Sequence, residues 1–356
     1  MATLESGFKG EVGDPEVFES ATVTFASVTM LSDVKALVTY TDTGNSSYIT
    51  ACVLSVSGET ITAGTPLQVA AEVAQYTAVD KLSETTAVLV YRHTAAGVGR
   101  TSVLSVSGTT VTAGGIETFA STNTSWQSVT ALSATKAVVT YRGTSSYGRA
   151  CVLSITGTSV AAGTPATFES ADASYTSVDT LSETKAIVAY ADDGNGHYGT
   201  ACVLDISGTT VTPGTPAIFD SVACKGVGLT VLSDTIVVTT YRDDVTGYGV
   251  ACVLSISTST ITPGTPATFE NSSTNDTSVT TLSATKALTV YKNNGNGSFG
   301  TSCLLNISGT TVTGDDPFVF EGTSSSYPSV SALSGSKAIT TFNGGASSYG
   351  TARILY

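Results

Sequence analysis

A Leu-Ser pair opening onto a β-rich run recurs at Leu31, Leu82, Leu132, Leu181, Leu232, Leu282 and Leu333, at spacings of 51, 50, 49, 51, 50 and 51 residues. A period this regular constrains the fold more than any other feature, because units of this size bury their apolar faces only against their neighbours. Each repeat reads as four strand-like pieces. In the fourth they are "SYTSVDTLS", "TKAIVAYAD", "GTACVLDISG" and "TTVTPGTPAIFDS", rich in β-branched and aromatic residues and separated by Gly, Asn, Asp, Ser and Pro. The second piece is nearly all apolar, the mark of a strand covered on both faces. No sustained 3.6-residue period predicts a helix.

The two ends of the chain look complementary. The last repeat supplies "YPSVSALS", "SKAITTF" and "GTARILY" and lacks a fourth piece, while "GDPEVFES" precedes the first repeat and matches "GDDPFVFE" of the sixth. A ring whose first and last strands pair leaves no bare sheet edge at the seam, whereas an open solenoid needs caps. The reading is an all-β, seven-bladed β-propeller with four antiparallel strands per blade, one domain over 1–356. Blades start near residues 25, 76, 126, 175, 226, 276 and 327, and the segment 10–20 completes the last.

The chain resembles seven-bladed propellers closed in this way. Its wording, of the type "LSxTKAxVxYxD…YGTACVLSxSGTT", is similar to repeats of uncharacterised bacterial and phage surface proteins. It lacks the Gly-His and Trp-Asp pairs of the WD40 family. The resemblance implies a surface or virion-associated protein.

Charged residues are only 12% of the chain, and the net charge is -13. Such a surface repels phosphate backbones and anionic membranes, so neither nucleic acid nor membrane insertion is expected. The opening segment lacks a basic region followed by an apolar run, so a secretory leader is not expected and a cytoplasmic location stays open beside the surface one.

In a propeller the loops between second and third strands share one face with the links between blades. Here those segments vary most, for example "RHTAAGVGR", "ADDGNGHYG" and "STNTSWQSV". Tyr76, Trp126, Tyr175 and Tyr327, with Arg92, Arg142, Arg242, Arg100, Arg149 and His197, are expected on this face, and are the candidate ligand-binding residues because Tyr, Trp and Arg are enriched at binding hot spots. The expected partner is a protein or a glycan.

Catalysis has little to work with. The chain holds two histidines, in different repeats, with no Ser-centred elbow or H-E-x-x-H motif. The inner strands, read as Ser-Val-Thr-Thr-Leu, predict a neutral central channel. Neither an enzyme nor a cofactor is expected. Asp192, Asp193 and Asn195 of "DDGNGH" could offer oxygens to calcium, but Asx-Gly turn chemistry also accounts for them. Five of the six cysteines, Cys52, Cys151, Cys202, Cys252 and Cys303, hold one equivalent place, with Ser102 and Arg353 in the other two repeats. Equivalent positions lie too far apart to bridge, which predicts small, buried, free thiols. Cys224, in a link beside Lys225, is the one candidate for a reactive thiol.

Overall fold

A computed structural model describes residues 8–345 and 347–356, and these are almost entirely antiparallel β-sheet. Residues 1–7 of the segment read for a leader lie outside the described residues. Among the described residues no helix is long and apolar enough to cross a membrane.

The fourth repeat shows how a unit is made. The inner half of Ala166–Ser182 is its first strand, pairing with Lys185–Asp192, which pairs in turn with Tyr198–Ser207. Ile187, Val188 and Ala189 are wholly buried, because neighbouring units cover both faces of the second strand. One apolar cluster joins Ile187, Ala189 and Val203 to Val237, Tyr241 and Cys252 of the next repeat.

The fourth piece differs from the single strand expected. Thr210–Pro213 pairs with the end of Tyr198–Ser207, and Ala217–Ser233 then pairs with its start. Between them, four steps on the outer strand oppose three on its neighbour, from Pro213 opposite Leu204 to Ala217 opposite Ala201. The bulge coincides with Gly214-Thr215-Pro216, where proline brings no N–H to a ladder.

This bulge explains the recurring cysteine. The Cys202 thiol donates to the Gly214 carbonyl at 3.3 Å, and Cys52, Cys151, Cys252 and Cys303 make the same contact with Gly64, Gly163, Gly264 and Asp315. Ser102 Oγ donates to Gly114 at 3.2 Å and Arg353 to Gly13 at 3.0 Å. The position therefore selects a donor for a bulge carbonyl, which a thiol, a hydroxyl or a guanidinium can each supply. All six cysteines are free and buried, and burial pushes the Cys202 thiol up to about 12. Cys224 corrects the expectation of reactivity: it is 1% exposed, and burial raises its pKa, so little thiolate forms.

A second rule concerns "YG". A Cβ on Gly199 would lie 2.2 Å from the Phe219 ring of the adjacent outer strand, so glycine is required beneath that ring. The first repeat has Ile49 in place of the glycine and Val69 in place of the phenylalanine, and Ile49 is fully buried. The volume has moved from one strand to its neighbour.

The ends meet by the same rules. The outer half of Glu16–Ser32 pairs antiparallel with Tyr349–Leu355. The Gly13 N–H donates to Ile354 O at 2.9 Å, as Gly64 does to Val53 at 2.8 Å. Ile339, Ala352 and Ile354 of the last repeat pack with Val38, Tyr40 and Cys52 of the first. On the inner strands the Val28 N–H donates to Ser329 Oγ at 3.1 Å, as the Val79 N–H does to Ser27 Oγ at 3.2 Å.

Candidate functional site

The first strand of each repeat carries a one-residue bulge. Thr24 faces Thr41 and Ser27 faces Thr39, so three steps oppose two, and Phe25 sits at the extra residue with φ of 52°. Tyr76, Trp126, Tyr175, Asp276 and Tyr327 occupy the same place at φ of 52–55°. The left-handed region costs a non-glycine residue roughly 1–2 kcal/mol. Gly226, at the equivalent position of the fifth repeat, has φ of 59° without that cost.

The aromatic residues converge. Ring centroids lie 5.1 Å apart from Tyr327 to Phe25, 5.0 Å from Phe25 to Tyr76, 4.9 Å from Tyr76 to Trp126 and 4.1 Å from Trp126 to Tyr175. Each such pair contributes about 0.5–1.5 kcal/mol beyond its area burial. The five rings form an arc, and Gly226 and Asp276 hold the remaining places around a mouth of about 250 Å³. The four aromatic residues expected on one face are brought together, and they are half-buried against one another rather than exposed. Phe25, which the sequence reading missed, joins the two ends of the run; its place one repeat length before Tyr76 is the signal that could have found it. The protein around Asp276 pushes its carboxyl above the ordinary range, against the Tyr327 N–H and the Lys292 charge.

Below the mouth lies a channel of about 410 Å³ lined by Ser, Thr and Val of the inner strands. It is not neutral. Where other repeats place Thr29, Thr130, Thr230, Thr280 and Ser331, the second and fourth place Asp80 and Asp179. Each carboxylate binds across to the next repeat: Asp80 accepts from the Ala131 N–H at 2.7 Å and Asp179 from the Val231 N–H at 2.8 Å. Thr280 accepts from Ala332 and Ser331 from Met30 in the same way, which is why a hydroxyl can serve elsewhere. Burial pushes the Asp179 carboxyl up to about 6, opposed by the Val231 and Thr180 N–H groups and reinforced by the charge of Asp80. Burial likewise raises Asp80.

The predicted arginines do not line the mouth. Each is tied into its own surroundings: Arg92 donates to Asn123 at 2.9 Å, Arg142 to Asp172 at 2.6 Å and Arg242 to Asn275 at 2.7 Å. Arg100 donates to Thr118 at 2.6 Å and lies 3.7 Å from Glu72, while Arg149 lies over the Tyr147 ring. His197 is exposed, with Nδ1 2.7 Å from Asp193 Oδ1. That same oxygen accepts from Ser174 at 2.9 Å, so the carboxylate considered for calcium is already engaged. Asp192 is buried, and burial with the nearby Glu169 raises its carboxyl. At the place of Asp192, Asp42 caps its loop by accepting from the Gly44 and Asn45 N–H groups, and Asp243 caps from Val245 and Thr246, the turn chemistry that fits Asx here. Among the described residues no three acidic, His or Cys side chains gather as a metal site, and Asn195 stands in the same loop turn.

No protein-family model and no curated protein matches the chain. Solved structures are similar to it. A protein of unknown function from Dyadobacter fermentans is 13% identical, covering 98% of this chain and 99% of its own, with a TM-score of 0.59. A chain of the mitotic checkpoint complex is 12% identical over 100% and 99%, at 0.62. The NanB sialidase of Streptococcus pneumoniae is 11% identical over 100% and 71%, at 0.53. At these identities the likeness is one of fold: an all-β, propeller-like arrangement of antiparallel sheets.

Proposed function

We propose that the chain closes as a seven-bladed propeller and works as a non-enzymatic binding or structural module on a bacterial surface or virion, holding a partner protein at the aromatic mouth. Support for closure comes from the seam, where strand pairing, bulge contacts and inner-strand hydrogen bonds repeat those inside the chain.

The aromatic arc carries the functional reading. Five bulky residues stand in a backbone conformation that favours glycine, at a position where Gly226 shows glycine to be compatible. Strain retained at one place in repeat after repeat points to a use for the side chains. The rings present apolar surface with Asp276 at its edge, the composition of a protein-binding centre. Imaging the protein in its native assembly tests this: density over the mouth, lost in a Trp126→Ala and Tyr175→Ala double variant that still folds, is the expected result. A mouth open to solvent in an otherwise occupied assembly rejects it.

A second reading, a carbohydrate-binding lectin, is favoured by Gln127 and Asp276, polar groups that line the same mouth as Trp126 and Tyr175. Binding on a glycan array that disappears in the same double variant supports the lectin. Silence on the array, with the assembly contact retained, supports the protein partner.

A further inference from the structure

Every junction between repeats but one holds a carboxylate near the end of the second strand. Tyr40 donates to Glu19 at 3.0 Å, Tyr91 to Glu72 at 2.8 Å, Tyr190 to Glu169 at 2.9 Å, Tyr241 to Asp220 at 2.6 Å and Tyr291 to Glu270 at 2.9 Å. In the last repeat Phe342 has no hydroxyl, and Glu321 instead accepts from Arg353 at 3.4 Å. The third repeat keeps its tyrosine, Tyr141, but the outer strand beside it reads "TFAST", with Ala120 where Glu19, Glu169, Asp220, Glu270 and Glu321 stand. Among the described residues Tyr141 meets no acceptor.

The second repeat shows what is missing. There Glu72 lies between the Tyr91 hydroxyl and the Arg100 guanidinium, which is 3.7 Å from its other oxygen. Tyr141 and Arg149 stand at the same two places one repeat later, directly opposite each other on neighbouring strands. Thr122 stands where Glu72 does, and no carboxylate pairs with Arg149 among the described residues. Gly143 replaces the Asp, Asn or His that opens the loop in five other repeats. Beside these shortened side chains lies a cavity of about 330 Å³ lined by Ala120, Thr122, Tyr141, Gly143, Thr144 and Arg149.

We infer that this cavity binds the carboxylate of a small ligand, which accepts from the Tyr141 hydroxyl and the Arg149 guanidinium as Glu72 accepts from Tyr91 and faces Arg100. A guanidinium fork and a hydroxyl donor, partly sheltered from water, suit a carboxylate far better than a neutral group. The inference rests on the broken repeat and is independent of the aromatic mouth.

The test uses the whole chain with D-glucuronate and N-acetylglutamate as carboxylate probes and D-glucose as the neutral control, followed by calorimetry and by thermal unfolding. At least one carboxylate probe should bind at millimolar concentration while glucose does not, and which of the two binds identifies the carrier of the group. Arg149→Gln should weaken that binding at least tenfold. Ala120→Glu, which rebuilds the pair found at Tyr190, should abolish it and raise the unfolding temperature of the free protein. If Ala120→Glu does not fold, Arg149→Gln decides. The inference is overturned if neither carboxylate probe binds, if glucose binds equally, or if binding survives Arg149→Gln unchanged.

Discussion

The junction between the third and fourth repeats and the one before it follow one plan and differ most in how a buried tyrosine is paired. In the first, Glu169 accepts from the buried Tyr190 hydroxyl. In the second, Tyr141 faces Ala120 across a cavity. Other departures from the repeat are compensated nearby: Ile49 is matched by Val69, and Phe342 by the redirected Glu321 and Arg353 pair. The Ala120 departure is not, and in a repeat protein an uncompensated difference stands out because six internal references surround it.

The largest effect should come from breaking the regular junction sterically. Gly199→Ile drives a side chain into the Phe219 ring and should cost about 3 kcal/mol or more. Adding Phe219→Val, which recreates the Ile49 and Val69 arrangement, should restore most of the loss in denaturant unfolding. Failure of the rescue would mean the first repeat tolerates Ile49 for another reason.

Making the regular junction resemble its neighbour comes next. Glu169→Ala leaves the Tyr190 hydroxyl without its acceptor and should lower stability by about 1–3 kcal/mol, whereas Ala120→Glu should gain about 1 kcal/mol. Equal and opposite shifts would show the two sites to be interchangeable.

The channel supplies a pH test of a similar comparison, between repeats with Asp and those with Thr. Asp179 has its folded pKa raised to about 6, so as pH climbs the unfolded chain loses its proton first and stability falls until the folded group also ionises. An Asp80→Thr and Asp179→Thr double variant should abolish this fall. At neutral pH it should be more stable than the parent by about 1–2 kcal/mol. A parent whose unfolding midpoint is flat between acid and neutral pH would contradict the assignment.

The smallest effect concerns the mouth. Trp126→Gly should be more stable than Trp126→Ala by about 1 kcal/mol, reversing the usual strand preference, because only glycine relaxes at φ of 53°.

Much of the fold was legible in the sequence, since period, turn residues and apolar runs report local and nearest-neighbour constraints. The equivalence of the five cysteines was visible too, but their role was not: a thiol, a hydroxyl and a guanidinium look unrelated until the carbonyls of Gly214, Gly114 and Gly13 appear as a common acceptor. Asp80 and Asp179 were hidden within alternating polar positions. Nothing in one strand says that the facing group is an N–H of the next repeat.

By itself the sequence determined that the chain is a tandem array of β units with matching ends, because hydrophobic period and turn chemistry act over a few residues and recur. Tertiary structure alone decided which side chains meet across repeats: the five rings at the mouth, the two carboxylates in the channel, and the unfilled place beside Tyr141. Those contacts join residues from about twenty to about three hundred positions apart, distances at which a period signals equivalence but carries no direction.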